Sequence, residues 1–313
     1  APLVTLGVVN LLWVWNELLI ALVFLQDDTK KTLMVGITGF QSRYSLDVPA
    51  IIMGLRGIVH LTAVLSGPGH DLHSGIHGGA APNPAAAMAR LLATLNRADG
   101  RIAVAGYYDG VRRPTARERM LAGEGQPSPR DYEKQTGVLP EGGEKGFSLA
   151  ERVGFRPTIE INGIHTGYGG PGSKTVIPTH AVAKITSRLV AGQDPGACLQ
   201  AVIRHLKRHT PAGLTLEITE RGIGGRAVRV PLDSPAVGTA KSVLDELSGG
   251  RTVFRWHGAS VPVIPALARA SGAAPILAGF GLEDDHIHAP NESFSLAQFR
   301  LGYLYVGMLI GRL

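Results

Sequence analysis

The stretch Ile58-Val59-His60-Leu61-Thr62-Ala63-Val64-Leu65-Ser66, running directly into Gly67-Pro68-Gly69-His70-Asp71-Leu72-His73-Ser74-Gly75, decides the fold class. Ile58–Ser66 reads as a strand. The segment after it has too little apolar surface to be core, since Gly67–Gly79 holds three histidines and five glycines. Polar side chains on a loop held between regular elements are a usual way to build a site. A turn with solvated histidines is the plainer alternative. Pro84 then stands where a helix starts, and Ala85–Leu95 is rich in strong helix formers before Ala98-Asp99-Gly100 turns the chain. Strand, polar loop and helix together open an α/β unit.

Downstream the same rhythm returns. Arg156–Gly163 is an extended run entering a second glycine-rich loop, Gly167–Pro178. Ala181–Val190 alternates, with Ala183, Ile185 and Leu189 on one face and Lys184, Thr186 and Arg188 on the other. Arg188 is therefore presented from a rigid element, either for binding or as a solvated strand arginine. Asp194-Pro195 caps a helix with Leu199, Val202, Ile203 and Leu206 on one side, and Leu214, Leu216 and Ile218 mark another strand. Residues 57–220 predict a small α/β sandwich whose strands are able to pair antiparallel. Residues 110–146, with many charges, glycines and prolines, predict mostly loop with a short helix.

The last third predicts one half of an α/β layered domain. Ser234-Pro235 starts a helix with Val237, Ala240, Leu244 and Leu247 in register, and Arg255–Pro262 reads as a loop before a helix ending near Ala270. Pro275–Phe280 is a short buried strand that releases Gly281–Glu292. Ser295 caps a final helix with an expected buried stripe of Leu296, Phe299, Tyr303, Val306 and Ile310. The released loop carries Glu283, Asp284, Asp285, His286 and His288. Histidines beside carboxylates can bind zinc, which generally takes three or four protein ligands. A simple polar turn around Pro290-Asn291 is the alternative.

Upstream lies the most hydrophobic segment, residues 2–25, whose 24 residues are enough to cross a bilayer. It lacks a basic leader and a small-residue cleavage site, so it is a poor signal peptide. Asn10, Asn16 and Glu17 would be costly in lipid unless packed against other helices. The expectation is a piece of a multi-span membrane protein, with a buried helix as the alternative.

The totals bound the function. A chain of 313 residues with 44% hydrophobic and 18% charged residues suggests about two domains with a real core. The net charge of +6 is spread over scattered Lys and Arg with no basic run among aromatics, so no nucleic-acid partner is expected. The single cysteine, Cys198, excludes an internal disulfide and a cysteine-based zinc site, and fits a reducing compartment. The expected localisation is cytoplasmic, with membrane association through residues 2–25 as the alternative. Ala1 in place of Met implies a processed chain or a fragment.

Two resemblances cover the chain. Trp15–Ala21, Lys31–Ile37 and Gln41–Tyr44 resemble the late part of a sugar-importing ABC transporter permease, over about residues 1–54. From about residue 55 onward the matching segments are Gly67-Pro68 with Asp71–Gly75, Gly172–Pro178, Ser187–Val190, Ser260-Val261-Pro262, and Asp285 through Glu292. These resemble, in order and spacing, the dizinc exopeptidases and deacylases that include carnosinase, cytosolic dipeptidases, acetylornithine deacetylase and succinyl-diaminopimelate desuccinylase. The dipeptidase branch is the most similar. The resemblance implies an α/β fold with residues 55–220 as a ferredoxin-like dimerisation or lid domain. It implies that residues 221–313 are the C-terminal part of an α/β metallopeptidase catalytic domain, preceded by the hydrophobic helical segment of residues 1–54.

The same resemblance implies roles for single residues. His288 resembles the metal ligand near the C-terminus, with two zincs per site in the family. His73 resembles the catalytic histidine that reaches across a homodimer to stabilise the oxyanion of the tetrahedral intermediate. Thr175, Arg188 and Ser260 resemble substrate binders, Arg188 being suited to a bidentate grip on the carboxylate of a dipeptide or N-acyl amino acid. The family's catalytic half also needs a His-x-Asp motif, a bridging Asp and a Glu-Glu pair, whose first Glu is general base to the metal-bound water. Neither His-x-Asp nor Glu-Glu occurs in this sequence. Relatives carry Glu-Gly-Gly-Ser where this chain has His257-Gly258-Ala259-Ser260, a departure at the amine-recognition position. The expectation is a truncated zinc-dependent dipeptidase-like hydrolase, fused to a permease fragment and inactive alone. A non-enzymatic dimerisation module and a membrane permease fragment are the alternatives.

Overall fold

The computed structural model describes residues 49–258, 260–282, 285 and 290–313. The hydrophobic segment 2–25, most of the permease-like stretch, His286 and His288 lie outside the described residues. Among the described residues no helix is long and apolar enough to cross a membrane.

In chain order the first elements are β1 (Ala50–Leu55), β2 (Gly57–Ser66), β3 (Leu72–His73), α1 (Ser74–His77), α2 (Pro84–Ala93), α3 (Ala116–Glu124), α4 (Pro129–Thr136) and α5 (Leu149–Gly154). They are followed by β4 (Thr158–Thr166), β5 (Val176–Ile177), β6 (His180–Leu189), α6 (Pro195–His209), β7 (Thr215–Gly225) and β8 (Val228–Arg229). The chain ends with α7 (Pro235–Ser248), β9 (Val253–His257), α8 (Val263–Ser271), β10 (Ala278–Gly279) and α9 (Leu296–Ile310). Two compact units interleave along it. One comprises residues 56–114 and 133–227, the other the described residues up to 55 together with 115–132 and 228–313.

In the first unit β4, β6, β2 and β7 form an antiparallel sheet in that order. With α2 between β2 and β4, and α6 between β6 and β7, this is the βαββαβ ferredoxin-like topology expected for the lid. Alternation selects the faces. Val59, Leu61, Ala63 and Leu65 of β2 and Ala181, Ala183, Ile185, Ser187 and Leu189 of β6 are buried, while the residues alternating with them are half-buried or exposed. Met88, Leu91, Leu199, Val202 and Leu206 of the two helices complete the same core. Each such side chain contributes about 1.5–3 kcal/mol on burial. The helix starts are also written locally: Asn83 Oδ1 accepts the Ala85 N–H at 2.9 Å and Asp194 Oδ1 accepts the Ala197 N–H at 2.9 Å, each just before a proline at the first helical position.

The stretch read as mostly loop is more ordered than expected. Thr115 and Glu118 form a reciprocal capping box that starts α3, and α4 follows at Pro129–Thr136. These short helices lack a broad apolar stripe, and that is why periodicity passed over them.

In the second unit β1 is central, parallel to β9 and antiparallel to β10 and β8. All six of its residues are buried. Residues 50–54, which the permease resemblance covers, are therefore the middle of this sheet. Two further expectations are corrected. Residues 255–257, read as loop, lie in β9 with Phe254, Arg255, Trp256 and His257 buried. The stripe expected to be buried on the last helix is exposed, with Leu296 at 85%, Phe299 at 50%, Tyr303 at 69%, Val306 at 47% and Ile310 at 73%. Tyr305 is its one buried residue, packed 5.5 Å from the Phe280 ring. Because α9 is apolar nearly all round, the 3.6-residue period could not say which side packs.

Candidate functional site

The polar loop after β2 is tied down at several points. The Gly67 N–H donates to Thr179 O at 2.8 Å, and the Thr179 N–H donates to Asp71 Oδ1 at 3.1 Å. Strands β3 and β5 pair antiparallel, matching Leu72 with Ile177 and His73 with Val176, and the Ser74 N–H donates to Thr175 O at 3.1 Å. The ladder brings His73 beside Thr175. Both are exposed.

His73 sits at the N-cap of α1, where its Nδ1 accepts the Gly75 N–H at 3.0 Å. A neutral imidazole accepting at Nδ1 carries its proton on Nε2. That Nε2 lies 3.3 Å from Thr175 Oγ1. The backbone thus sets the tautomer, leaving one N–H donor and one hydroxyl together on an exposed loop. Such a pair can donate to an oxyanion or a carbonyl oxygen. Asp71→Ala is expected to cost about 1 kcal/mol and to speed hydrogen exchange at the Thr179 amide. Asp71→Asn, which keeps the acceptor, should leave that exchange near wild type. Unchanged exchange in the alanine variant would refute the clamp.

Arg188 stands elsewhere. It is half-buried on β6, paired with Ile58 of β2 and Thr158 of β4. Burial pulls its guanidinium below its ordinary value, and the Glu160 carboxylate pulls it back up. His180 opens β6 at the His73–Thr175 end, and Arg188 is eight residues further on, roughly 27 Å at about 3.4 Å per residue. Within one protomer, His73 and Thr175 form one group, and Arg188 is at the far end of the sheet from both.

Ser260 belongs to the other unit, in the turn between β9 and α8. That turn leaves the sheet at the Leu55 end of β1, because β9 is parallel to β1. The loop after β10 departs at the Ala50 end, because β10 runs antiparallel. In that loop Asp285 is 2% exposed. Its Oδ2 accepts the Leu282 N–H at 2.7 Å and its carbonyl accepts the Ser293 N–H at 2.9 Å, so it pins both ends of the loop. His288 lies outside the described residues. Among the described residues, no group of three His, Cys, Asp or Glu side chains is placed to hold a metal ion. The described donor set therefore does not make up a zinc site.

Sequence reasoning passed over Arg56, at the junction of β1 and β2. It is 7% exposed, and its Nη2 donates to Arg156 O at 2.5 Å and Arg152 O at 3.4 Å. Burial, then the Arg188 charge, lowers its pKa to about 10, and Glu160 opposes the shift. A lone arginine between two apolar runs offers no period or motif that could have signalled this.

Residues 53–214 match the peptidase dimerisation domain family. A Cys-Gly metallodipeptidase of Candida albicans is 26% identical over 83% of this chain and 54% of its own length. The Beta-Ala-His dipeptidase of Homo sapiens is 26% identical over 79% of the chain and 49% of its own length. The chain spans about half the length of the curated relatives it matches. Among solved structures, an M20 family metallo-carboxypeptidase from Sulfolobus solfataricus superposes with a TM-score of 0.69 at 25% identity, over 84% of this chain and 60% of that one. A 50-residue stretch, 16% of the chain, is 46% identical to part of a putative ABC transporter permease protein of Caldicellulosiruptor sp., covering 18% of that protein.

Proposed function

Because the chain belongs to the peptidase dimerisation domain family, we propose that it is the lid-bearing portion of a dipeptidase-like hydrolase and that it does not hydrolyse peptides by itself. In this reading residues 55–220 are the lid and residues 221–313 the C-terminal part of a catalytic domain. The substrates are dipeptides or N-acyl amino acids, and the working form is a homodimer. A metal cofactor goes with the ancestry, and zinc is our assignment for it, with His288 the ligand this chain would contribute.

The separation of His73 and Thr175 from Arg188 carries the proposal. A dipeptide is far shorter than the roughly 27 Å of strand between them, at about 3.4 Å per residue. Only a second copy can bring the His73 Nε2–H to a substrate whose carboxylate is held by Arg188. In that arrangement Arg188 grips the carboxylate with its planar fork, and His73 of the other protomer donates to the carbonyl oxygen as negative charge develops there. Ser260 is assigned to substrate binding by its resemblance alone. The absence of His-x-Asp and Glu-Glu from the sequence supports inactivity, because the resemblance assigns the general base to the first Glu of that pair. A reducing, cytoplasmic setting agrees with the one cysteine, which is a buried free thiol.

The test is direct. The purified chain, incubated with zinc, is assayed against dipeptides and N-acyl amino acids, and sedimentation reports its assembly state. The expected result is a dimer without turnover. Robust hydrolysis with stoichiometric metal would overturn the claim of inactivity, and a strictly monomeric chain at high concentration would overturn the shared site.

A further inference from the structure

Helix α9 has two different faces. Its inner face is held. The Tyr305 ring packs 5.5 Å from that of Phe280, a Cβ at Gly302 would stand 3.4 Å from the Phe280 ring, and Arg312 Nη2 donates to Glu246 Oε2 of α7 at 2.7 Å. The outer face carries Leu296, Phe299, Tyr303, Val306 and Ile310, each between 47% and 85% exposed. Leu313 follows at 69% exposed, in the turn where its N–H donates to Leu309 O at 3.1 Å. The steps between these six are three, four, three, four and three residues. That is the a/d spacing by which one helix packs along another. A solvated helix face carries charged residues, and this seam has none.

The order of the seam fits a second copy of itself. Laid antiparallel about the midpoint between Leu304 and Tyr305, it sets Leu296 against Leu313, Phe299 against Ile310 and Tyr303 against Val306. Both rings then meet smaller aliphatic side chains, as close packing across a seam requires. A parallel pair would set Phe299 on Phe299 and Tyr303 on Tyr303. The antiparallel arrangement also directs Arg300 towards the second copy's Gly307, where a Cβ would meet nothing within 4 Å. At these exposures the seam offers roughly 600 Å² per copy, so a pair buries about 1,200 Å², the lower bound of stable interfaces. We propose that the outer face of α9 is a docking surface for a second copy of this chain, lying antiparallel. The surface belongs to the unit that does not contain the lid sheet, so the inference is independent of the shared site proposed above. Lid pairing and α9 pairing together carry assembly past the dimer as concentration rises.

Sedimentation of the full chain over a range of concentrations tests this, with thermal unfolding to check that each variant folds. Tyr303→Glu and Val306→Lys each place a charge in the seam and should weaken this association more than about a hundredfold. An equimolar mixture of the two should recover it, because position 303 of one copy meets position 306 of the other. Met120→Glu, at a 59% exposed apolar residue of α3, should associate as wild type does. Should a charged variant unfold, Leu296→Gln, at an 85% exposed position, is expected to weaken association about tenfold. A dimer that persists in the α9 variants reports lid pairing separately. Unchanged association in the single variants overturns the seam, and an equal loss in Met120→Glu overturns its specificity. A mixture that fails to recover overturns the second copy as its occupant.

Discussion

Glu144→Ala is expected to destabilise the lid unit by about 3–5 kcal/mol, the cost of leaving a buried guanidinium without its counter-charge. Glu144 and Arg156 are each 8% exposed and meet in a two-pronged pair. The Tyr108 hydroxyl adds a bond to the same carboxylate at 3.1 Å, and the Arg156 guanidinium lies 4.9 Å from the Tyr108 ring and 4.5 Å from Phe147. The Arg156 carbonyl in turn accepts the Arg56 guanidinium. Losing Glu144 should therefore loosen the support behind Arg188 as well as the loop. Against a typical domain stability of about 5–15 kcal/mol, this is a large fraction. Urea unfolding followed by far-ultraviolet circular dichroism measures it. The double variant Glu144→Leu with Arg156→Met should recover most of the loss, since an apolar pair of similar volume avoids the desolvation of both charges. A single-variant loss under about 1 kcal/mol, the value typical of an exposed pair, would show that the pair does not hold this loop.

Gly192→Ala should be comparably damaging, by roughly 2–6 kcal/mol, combining left-handed backbone strain with overpacking. Gly192 has φ +100°, and a Cβ there would stand 2.1 Å from Gly110 O. Gly110 has φ +79°, and its Cβ would stand 2.1 Å from Gly192 O. The two turns pack backbone to backbone, with no side chain that could give way. The turn at Gly192 joins β6 to α6, and Gln193 stitches it, accepting the Val190 N–H at 2.8 Å and donating to Tyr107 O at 2.6 Å. Displacing it shifts the end of β6 that carries Arg188. Thermal unfolding of Gly192→Ala beside Gly238→Ala, where a Cβ meets nothing within 4 Å, separates close approach from the general effect of adding a methyl group. If both variants melt alike, the backbone contact is not limiting.

What could be read from residues alone was local. The run Ile58–Ser66 and the alternation along Ala181–Val190 identified two strands, and in the second also the buried face, because a period of two leaves one choice of face once a core exists. Asn83-Pro84, Asp194-Pro195 and Ser234-Pro235 marked helix starts within a residue, because cap and proline act on their own turn. The dipeptidase ancestry was legible too, since short motifs survive as words in order. α9 was the opposite case: with apolar residues on every side, its packing depended on what surrounded it.

By itself the sequence determined an α/β unit over residues 57–220, the core faces of β6 and α6 and the identity of the polar loops, all products of interactions spanning a few residues, while the ferredoxin-like lid was implied by the dipeptidase resemblance. Only the tertiary structure decided that residues 50–54 form the centre of the second sheet. The same holds for the passage of residues 115–132 into that unit, and for the burial of Arg56, Glu144 and Arg156 together. It also decided the distribution of the site, with His73 set beside Thr175 by the β3–β5 ladder and Arg188 left at the opposite end of β6. The physical reason is that strand pairing and the hydrogen bond from Arg56 to the Arg156 carbonyl join residues about a hundred positions apart. No local period or cap records which of those partners will meet.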